Sequence, residues 1–183
     1  MRKQKTMKLS SILFEGMKLE PPEGYIVFIS RDERNIRIRI RSKEKVITSR
    51  FPEGRYKSEG QMVIQPGIHV DDGGGLVWEV ENILANEGYG PLLYDVAMEI
   101  LFKQGQAGLM PDRIKVSDEA RNVWRKYFED RGDVDRKPLP EDLFVGKLSD
   151  RPEYMRYYYY KTSTPIIDDL KSKGLIESGD FEL

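Results

Sequence analysis

Residues Leu76 to Glu99, LVWEVENILANEGYGPLLYDVAME, decide how this chain is read. Leu76 to Val80 is a short run rich in β-formers and predicts a strand. Gly88-Tyr-Gly90 interrupts it. Beyond the interruption Leu93, Val96, Ala97, Ile100 and Leu101 recur at helical spacing to about Gln104, where Gly105 is a stop signal. A strand that passes through G-x-G into a helix aims unpaired backbone N–H groups and the positive helix end at one spot. Because glycines let a ligand approach the main chain closely, the junction suits a pyrophosphate. A dinucleotide-binding βαβ unit would need a third spaced glycine and parallel strands, and neither is present in the pattern.

Upstream of this stretch the sequence reads as antiparallel sheet. Tyr25 to Ile29 follows the turn cluster Pro21-Pro-Glu-Gly24 and predicts a buried strand. Asn35 to Arg41 alternates strictly, placing Ile36, Ile38 and Ile40 on one face of a strand and Arg37, Arg39 and Arg41 on the other. Lys45 to Thr48 predicts a further short strand. Pro52 to Gly60, with two glycines, a proline and no period, predicts a loop. Gln61 to Ile64 and Ile68 to Val70 flank Pro66-Gly67, and the Gly-rich turn Asp71 to Gly75 leads into Leu76.

Downstream, a second helix is marked by Ser117 as its cap, by Asp118 and Glu119 at its positive end, and by the apolar stripe Ala120, Val123, Trp124, Tyr127 and Phe128. Tyr154 to Tyr160 predicts a strand, and Thr164 to Lys173 a short helix that ends before Gly174. With no internal repeat or linker, the chain reads as one α+β unit over residues 20–175. An amphipathic leader, 1–19, precedes it and an acidic tail, 176–183, follows. A mixed, mostly antiparallel central sheet flanked by helices is the expected architecture.

Composition narrows the chemistry. The 183 residues contain no cysteine and one histidine, which removes disulfides, thiolate nucleophiles and His-based triads, and no metal site is expected. His69, beside Asp71 and Asp72, reads as a structural or surface residue. The apolar runs fall short of the roughly 20 residues that span a bilayer, so no membrane is expected. The basic leader is closed by Glu15 rather than by a cleavage site, which predicts a cytoplasmic protein. A net charge of −1 makes nucleic acid an unexpected partner for the domain as a whole. The stretch Arg31 to Lys57 is locally basic, but Asp32, Glu33, Glu44 and Glu53 dilute it, and it reads as a solvated sheet face.

Ala85-Asn-Glu-Gly-Tyr-Gly90 resembles the acetyl-CoA motif Q/R-x-x-G-x-G/A of the GNAT N-acetyltransferase superfamily, which lies between the fourth strand and the third helix. Leu109 to Phe128 resembles the family's next helix as found in small GNAT-like proteins of tailed bacteriophages, and the resemblance covers about residues 25 to 160. It implies an α/β/α GNAT-like fold and an acetyl-CoA-dependent transfer of an acyl group to an unidentified amine. Gly88, Tyr89, Gly90 and Leu92 would face the pyrophosphate. A base on the fourth strand, Glu79 or Glu81, would take a proton from the amine, and Tyr127 would protonate the departing thiolate. Alternation sets Glu79 and Glu81 on one face, opposite Trp78 and Val80. Their competing reading is as solvated carboxylates, and that of Tyr127 is core packing. Ala85 stands where the motif has Gln or Arg, and Pro91 removes one backbone donor. These departures support an alternative, a catalytically inactive GNAT-fold phage protein that serves as a virion-associated or protein-interaction component, with a phage or host protein as its partner.

Overall fold

The computed structural model describes residues 17–70, 75–144, 150–179 and 182–183. Eight strands form a single mixed sheet in the order β6-β7-β5-β4-β3-β2-β1-β8. An antiparallel meander comes first: β1 (Tyr25–Arg31), β2 (Ile36–Thr48), β3 (Phe51–His69) and β4 (Leu76–Ala85). Helix α1 (Gly90–Lys103) carries the chain back so that β5 (Gly108–Met110) lies parallel to β4, as a helical crossover requires. Helix α2 (Asp118–Glu129), strands β6 (Asp135–Pro138) and β7 (Tyr157–Tyr160), helix α3 (Pro165–Ser172) and β8 (Ile176–Ser178) complete the order. The α+β class with a mixed, mostly antiparallel sheet is therefore observed, and no described helix is long and apolar enough to cross a membrane.

The alternation in β2 does what its period dictates. Ile36, Ile38 and Ile40 are fully buried under α1, together with Val27 and Ile29 of β1 and Met62 and Ile64 of β3. Each such side chain contributes roughly 1.5–3 kcal/mol relative to exposure. All three helices join this one cluster through Leu93, Val96 and Ile100 of α1, Trp124 and Tyr127 of α2, and Ile166, Ile167 and Leu170 of α3. The opposite face carries a smaller cluster at one end, Val77, Met110, Leu139 and Tyr158. Helices on both faces of the sheet, as an α/β/α arrangement demands, are not found among the described residues. The described chain has no helix between β1 and β2, and no described helix lies over the second face there.

Several boundaries differ from expectation. Lys45 to Thr48 continues β2, and Pro52 to Gly60 is not a loop but the outer part of β3, so the two strands form a long hairpin arm. β3 pairs with β4 only from Gly60 onward, so Pro52 and Gly54 sit where a single ladder is made and a missing N–H or a glycine costs little. Pro66-Gly67 lies within the same strand. Gly67 is the extra residue of a bulge between Pro66↔Trp78 and Ile68↔Val77, and a Cβ there would meet the Val77 carbonyl and Met110 Cε at 2.6 Å. Within the expected acidic tail, β8 runs parallel to β1 and Ile176 is buried. The turn residues 71–74 and leader residues 1–16 lie outside the described residues. Met17 to Leu19, the end of the expected leader, pack on the domain: the Lys18 N–H donates to the Gly88 carbonyl at 3.1 Å and Leu19 packs against the core.

Candidate functional site

The G-x-G junction is built as its residues require. Gly88 has φ +84°, a conformation that L side chains rarely adopt. Tyr89 caps α1, Gly90 begins it, and Pro91 occupies the first turn, where its missing N–H is tolerated. The Gly88 carbonyl is taken by Lys18, and no backbone acceptor is found among the described residues for the N–H groups of Gly90 and Leu92. Two unpartnered donors thus lie at the positive end of a 14-residue helix. Of the four expected cofactor contacts, Gly88 and Gly90 line the adjoining groove. The Tyr89 and Leu92 side chains turn into the core, with the Lys18 ammonium 4.1 Å from the centre of the Tyr89 ring, so only their main chain faces outward.

A groove leads away from this point. Its first section, about 580 Å³, runs between the end of β4 and the N-terminal ends of α1 and α2, past Ile83, Asn86, Gly90, Ser117 and Glu119. A narrower section of about 250 Å³ continues past Val80, Glu81, Tyr94 and Ala120. The last, about 810 Å³, opens on the other face of the sheet among Gln65, Glu79, Glu81, Arg113 and Arg151. Adjacent sections share walls, Tyr94 and Ala120 between the first two and Val80 and Glu81 between the last two. The passage exists because β5 pairs with β4 only from Val77 to Glu79. Pro111 then ends β5, and the edge of β4 beyond Glu79 is left without a neighbour on that side.

The two carboxylates on β4 have different fates. Val80 pairs with Ile64 and Asn82 with Val63, which makes Glu81 the unpaired residue of a bulge. Its exposed side chain faces the narrow section and the far opening, and it forms no hydrogen bond or ion pair among the described residues. Glu79, 7% exposed, is committed. Its Oε1 accepts from the Arg113 backbone N–H at 2.8 Å and from Arg113 Nε at 3.3 Å, and its Oε2 accepts from Nη2 at 3.3 Å. The Arg113 guanidinium thus ties the chain after β5 to β4, and Arg151 donates to the carbonyls of Asp112 and Arg113, holding that chain from the other side. Both glutamates border one opening, as alternation predicts, while Glu79 acts as a strut.

Tyr127 does not reach the groove. It is fully buried, its hydroxyl donates to the Pro91 carbonyl at 3.3 Å, and burial holds that hydroxyl well above the usual tyrosine range. The expected role as an acid that meets the thiolate is corrected by this placement: the apolar stripe of α2 faces the core, and Tyr127 is part of that stripe. Tyr94 is the buried tyrosine that borders the groove. It lines the first two sections of the groove and packs edge-on against Trp124 with ring centroids 4.9 Å apart. Its hydroxyl has no hydrogen-bond partner among the described residues, and desolvation raises its pKa, keeping it protonated. Sequence reasoning missed Tyr94 because at helical spacing it is one apolar residue among ten buried ones in α1.

Reasoning from sequence also missed a buried ionic cluster on the far side of α1. Asp95 and Glu99 are fully buried with Lys161, and Arg131 is 6% exposed. Arg131 donates to both oxygens of Asp95 at 3.0 and 3.2 Å and to both of Asp133 at 2.5 Å. Lys161 lies 3.2 Å from Asp95, 3.1 Å from Glu99 and 3.4 Å from Asp133. Glu99 further accepts the N–H groups of Ile166 and Ile167 at the start of α3. Desolvation pushes Glu99 up to about 7 against the pull of Lys161 and those amides, while Lys161 is itself held above the usual lysine range by its carboxylates. Three carboxylates face two cations here.

The groove walls set limits on a ligand. Glu87 and Glu119 line the first section, and no Lys or Arg does, so a pyrophosphate there would be held by amides and helix ends alone. His69 lies exposed at the end of β3, away from the groove. No family model matches the chain, and no curated protein matches it. A solved structure described as "The crystal structure of KacTA-DNA complex" is similar over 78% of this chain and 76% of that one, with 12% identity and a TM-score of 0.44. A likeness at that level establishes neither family nor function.

Proposed function

We propose that this protein transfers an acyl group from acetyl-CoA to an amine, within the GNAT type of fold. The observation that carries the reading is the continuous groove from the unpartnered amides of Gly90 and Leu92, through the gap between β4 and β5, to the free carboxylate of Glu81. In this reading the amides receive the pyrophosphate. The unpaired edge of β4 offers main-chain groups to the amide-bearing arm behind it. The thioester then lies beside Val80, Glu81 and Tyr94. Glu81 accepts the proton of the attacking amine, the C–N bond forms as the C–S bond breaks, and Tyr94 donates its proton to the leaving sulfur. Tyr94 replaces Tyr127 in this role because it lines the groove.

Two measurements test this. Calorimetric titration with acetyl-CoA should show binding, and thiol release in the presence of an accepted amine should fall by about 10²–10⁴ in Glu81→Gln at unchanged acetyl-CoA affinity, as loss of a general base requires. The acidic lining at Glu87 and Glu119 and the Ala85 departure favour a second reading, an interaction component that keeps the fold without the chemistry. Absence of acetyl-CoA binding to the wild type would establish that reading over the first.

A further inference from the structure

From Arg31 to Lys57 the chain carries ten Lys and Arg against four Asp and Glu, a net of +6 in a protein of net charge −1. The fold sets three arginines of this stretch in one row. Arg37, Arg39 and Arg41 stand on the face of β2 opposite the buried isoleucines, at two-residue spacing, or about 6.7 Å. Across the sheet they pair with Ser30, Phe28 and Ile26 of β1, and Arg37 and Arg39 pair with Val63 and Gln61 of β3. No described helix covers this face. Two carboxylates stand against the row, Asp32 at 3.7 Å from Arg37 and Glu177 at 3.8 Å from Arg41; Arg39 Nε donates to Gln61 Oε1 at 3.2 Å, and Nε of Arg37 and of Arg41 is buried with no partner among the described residues. Arg39 is held below the usual arginine range by partial burial and by its two arginine neighbours. Arg41 is fixed between two aromatic rings, 3.7 Å from the centre of Phe28 and 4.0 Å from that of Tyr56, and Lys45 extends the row over Tyr56 at 5.8 Å.

We infer that this face of β1, β2 and β3, over which no described helix lies, docks the phosphate backbone of a nucleic acid. A row of under-neutralised guanidiniums on an extended strand presents repeated forked donors, the geometry that phosphate oxygens accept. The aromatic clamp on Arg41 reduces the entropy lost when it binds, and Tyr56, 38% exposed, offers a ring edge for a base. A protein partner fits less well, since the face lacks the apolar centre that protein interfaces bury. The whole-chain charge concealed this surface because the remaining residues carry a net of −7. Docking here does not depend on acyl transfer, and its test uses no acetyl-CoA.

The test is fluorescence anisotropy of a labelled 20-nucleotide single strand, titrated with the full chain between 50 and 200 mM salt. Saturable binding is expected with a log–log salt slope of about −2, from roughly 0.7 per contacted phosphate. The Arg37→Gln/Arg39→Gln variant should bind at least about tenfold more weakly at 50 mM and lose about 1.4 from the magnitude of the slope. The variant's melting temperature, unchanged within about 2 °C, shows that the fold is intact; Arg37→Lys/Arg39→Lys, which keeps the charge, should retain most of the affinity and serves if the first variant does not fold. No saturable binding by the wild type, a slope unchanged in the glutamine variant, or equal competition by polyglutamate of matched charge would each overturn the inference.

Discussion

Replacing Gly90 by Asp separates folding from ligand binding at the G-x-G junction. Gly90 is the first residue of α1, its φ is not positive, and a Cβ built on it meets nothing within 4 Å, so the side chain fits. A carboxylate at a helix N-terminus is worth about 0.3–1 kcal/mol of stability. Leaving glycine adds a few tenths. The variant should therefore melt at the wild-type temperature or up to about 4 °C above it, at roughly 2–4 °C per kcal/mol for a chain of this size. The same carboxylate would stand at the amides of Gly90 and Leu92. Against a pyrophosphate charge at about 4 Å, an effective dielectric constant near 20 gives about 4 kcal/mol of repulsion. Salt and solvent reduce this to about 2–4 kcal/mol, a loss of roughly 30- to 1000-fold in acetyl-CoA affinity. Calorimetry at 0.15 M salt reads the affinity and a thermal melt reads the fold. Gly90→Ala, which adds the Cβ without the charge, should stay within a few-fold of wild type. A folded Gly90→Asp protein that binds acetyl-CoA within threefold of wild type would refute the placement of the pyrophosphate at this helix end.

Other consequences follow from the groove and the ionic cluster. Glu119→Lys replaces one of the two carboxylates in the first groove section with a cation and should tighten acetyl-CoA binding several-fold, an effect that fades at high salt; unchanged affinity would place the ligand elsewhere. Arg131→Met leaves Asp95 with Lys161 alone and strips both contacts from Asp133, so it should cost about 3–5 kcal/mol in urea denaturation, as loss of one partner from a buried ion pair does. Glu99, held up to about 7, keeps its proton in the folded state between pH 4.5 and 7 where the unfolded chain has released it. Its contribution to stability is thus present at low pH and lost as pH rises through that window, by at most about 3 kcal/mol. The wild-type minus Glu99→Gln difference in unfolding free energy should shrink between pH 5 and pH 7.5, and a constant or growing difference would contradict the assignment.

Much of the fold is legible in the sequence because local periodicity and packing agree there. The alternation of Ile36, Ile38 and Ile40, the Ser117 cap of α2, whose hydroxyl accepts the Ala120 N–H at 3.2 Å, and the stop at the end of α1 all rest on contacts within a few residues. Where glycine and proline sit in a strand with only one paired side, as at Pro52 and Gly54, their usual reading as loop signals fails, since the cost that makes them strand breakers is absent there. Short β5, β6 and β8 carry three or four residues each, too few for a period to register.

The site divides in the same way. The sequence by itself determined the strand, the G-x-G turn and the helix that follows, and with them the unpartnered amides, because main-chain donors at a helix start need no distant partner. Alternation also set Glu79 and Glu81 on one face of the strand. Only the tertiary structure decided that Glu79 is tied to Arg113, 34 residues away, and that the Glu81 bulge leaves the other carboxylate free. It alone showed Tyr94 at the groove, Tyr127 in the core, and Asp95 and Glu99 paired with Arg131 and Lys161. Those outcomes depend on which charges and rings meet across the sheet and helices, and desolvation makes such meetings decisive without leaving any mark on local spacing.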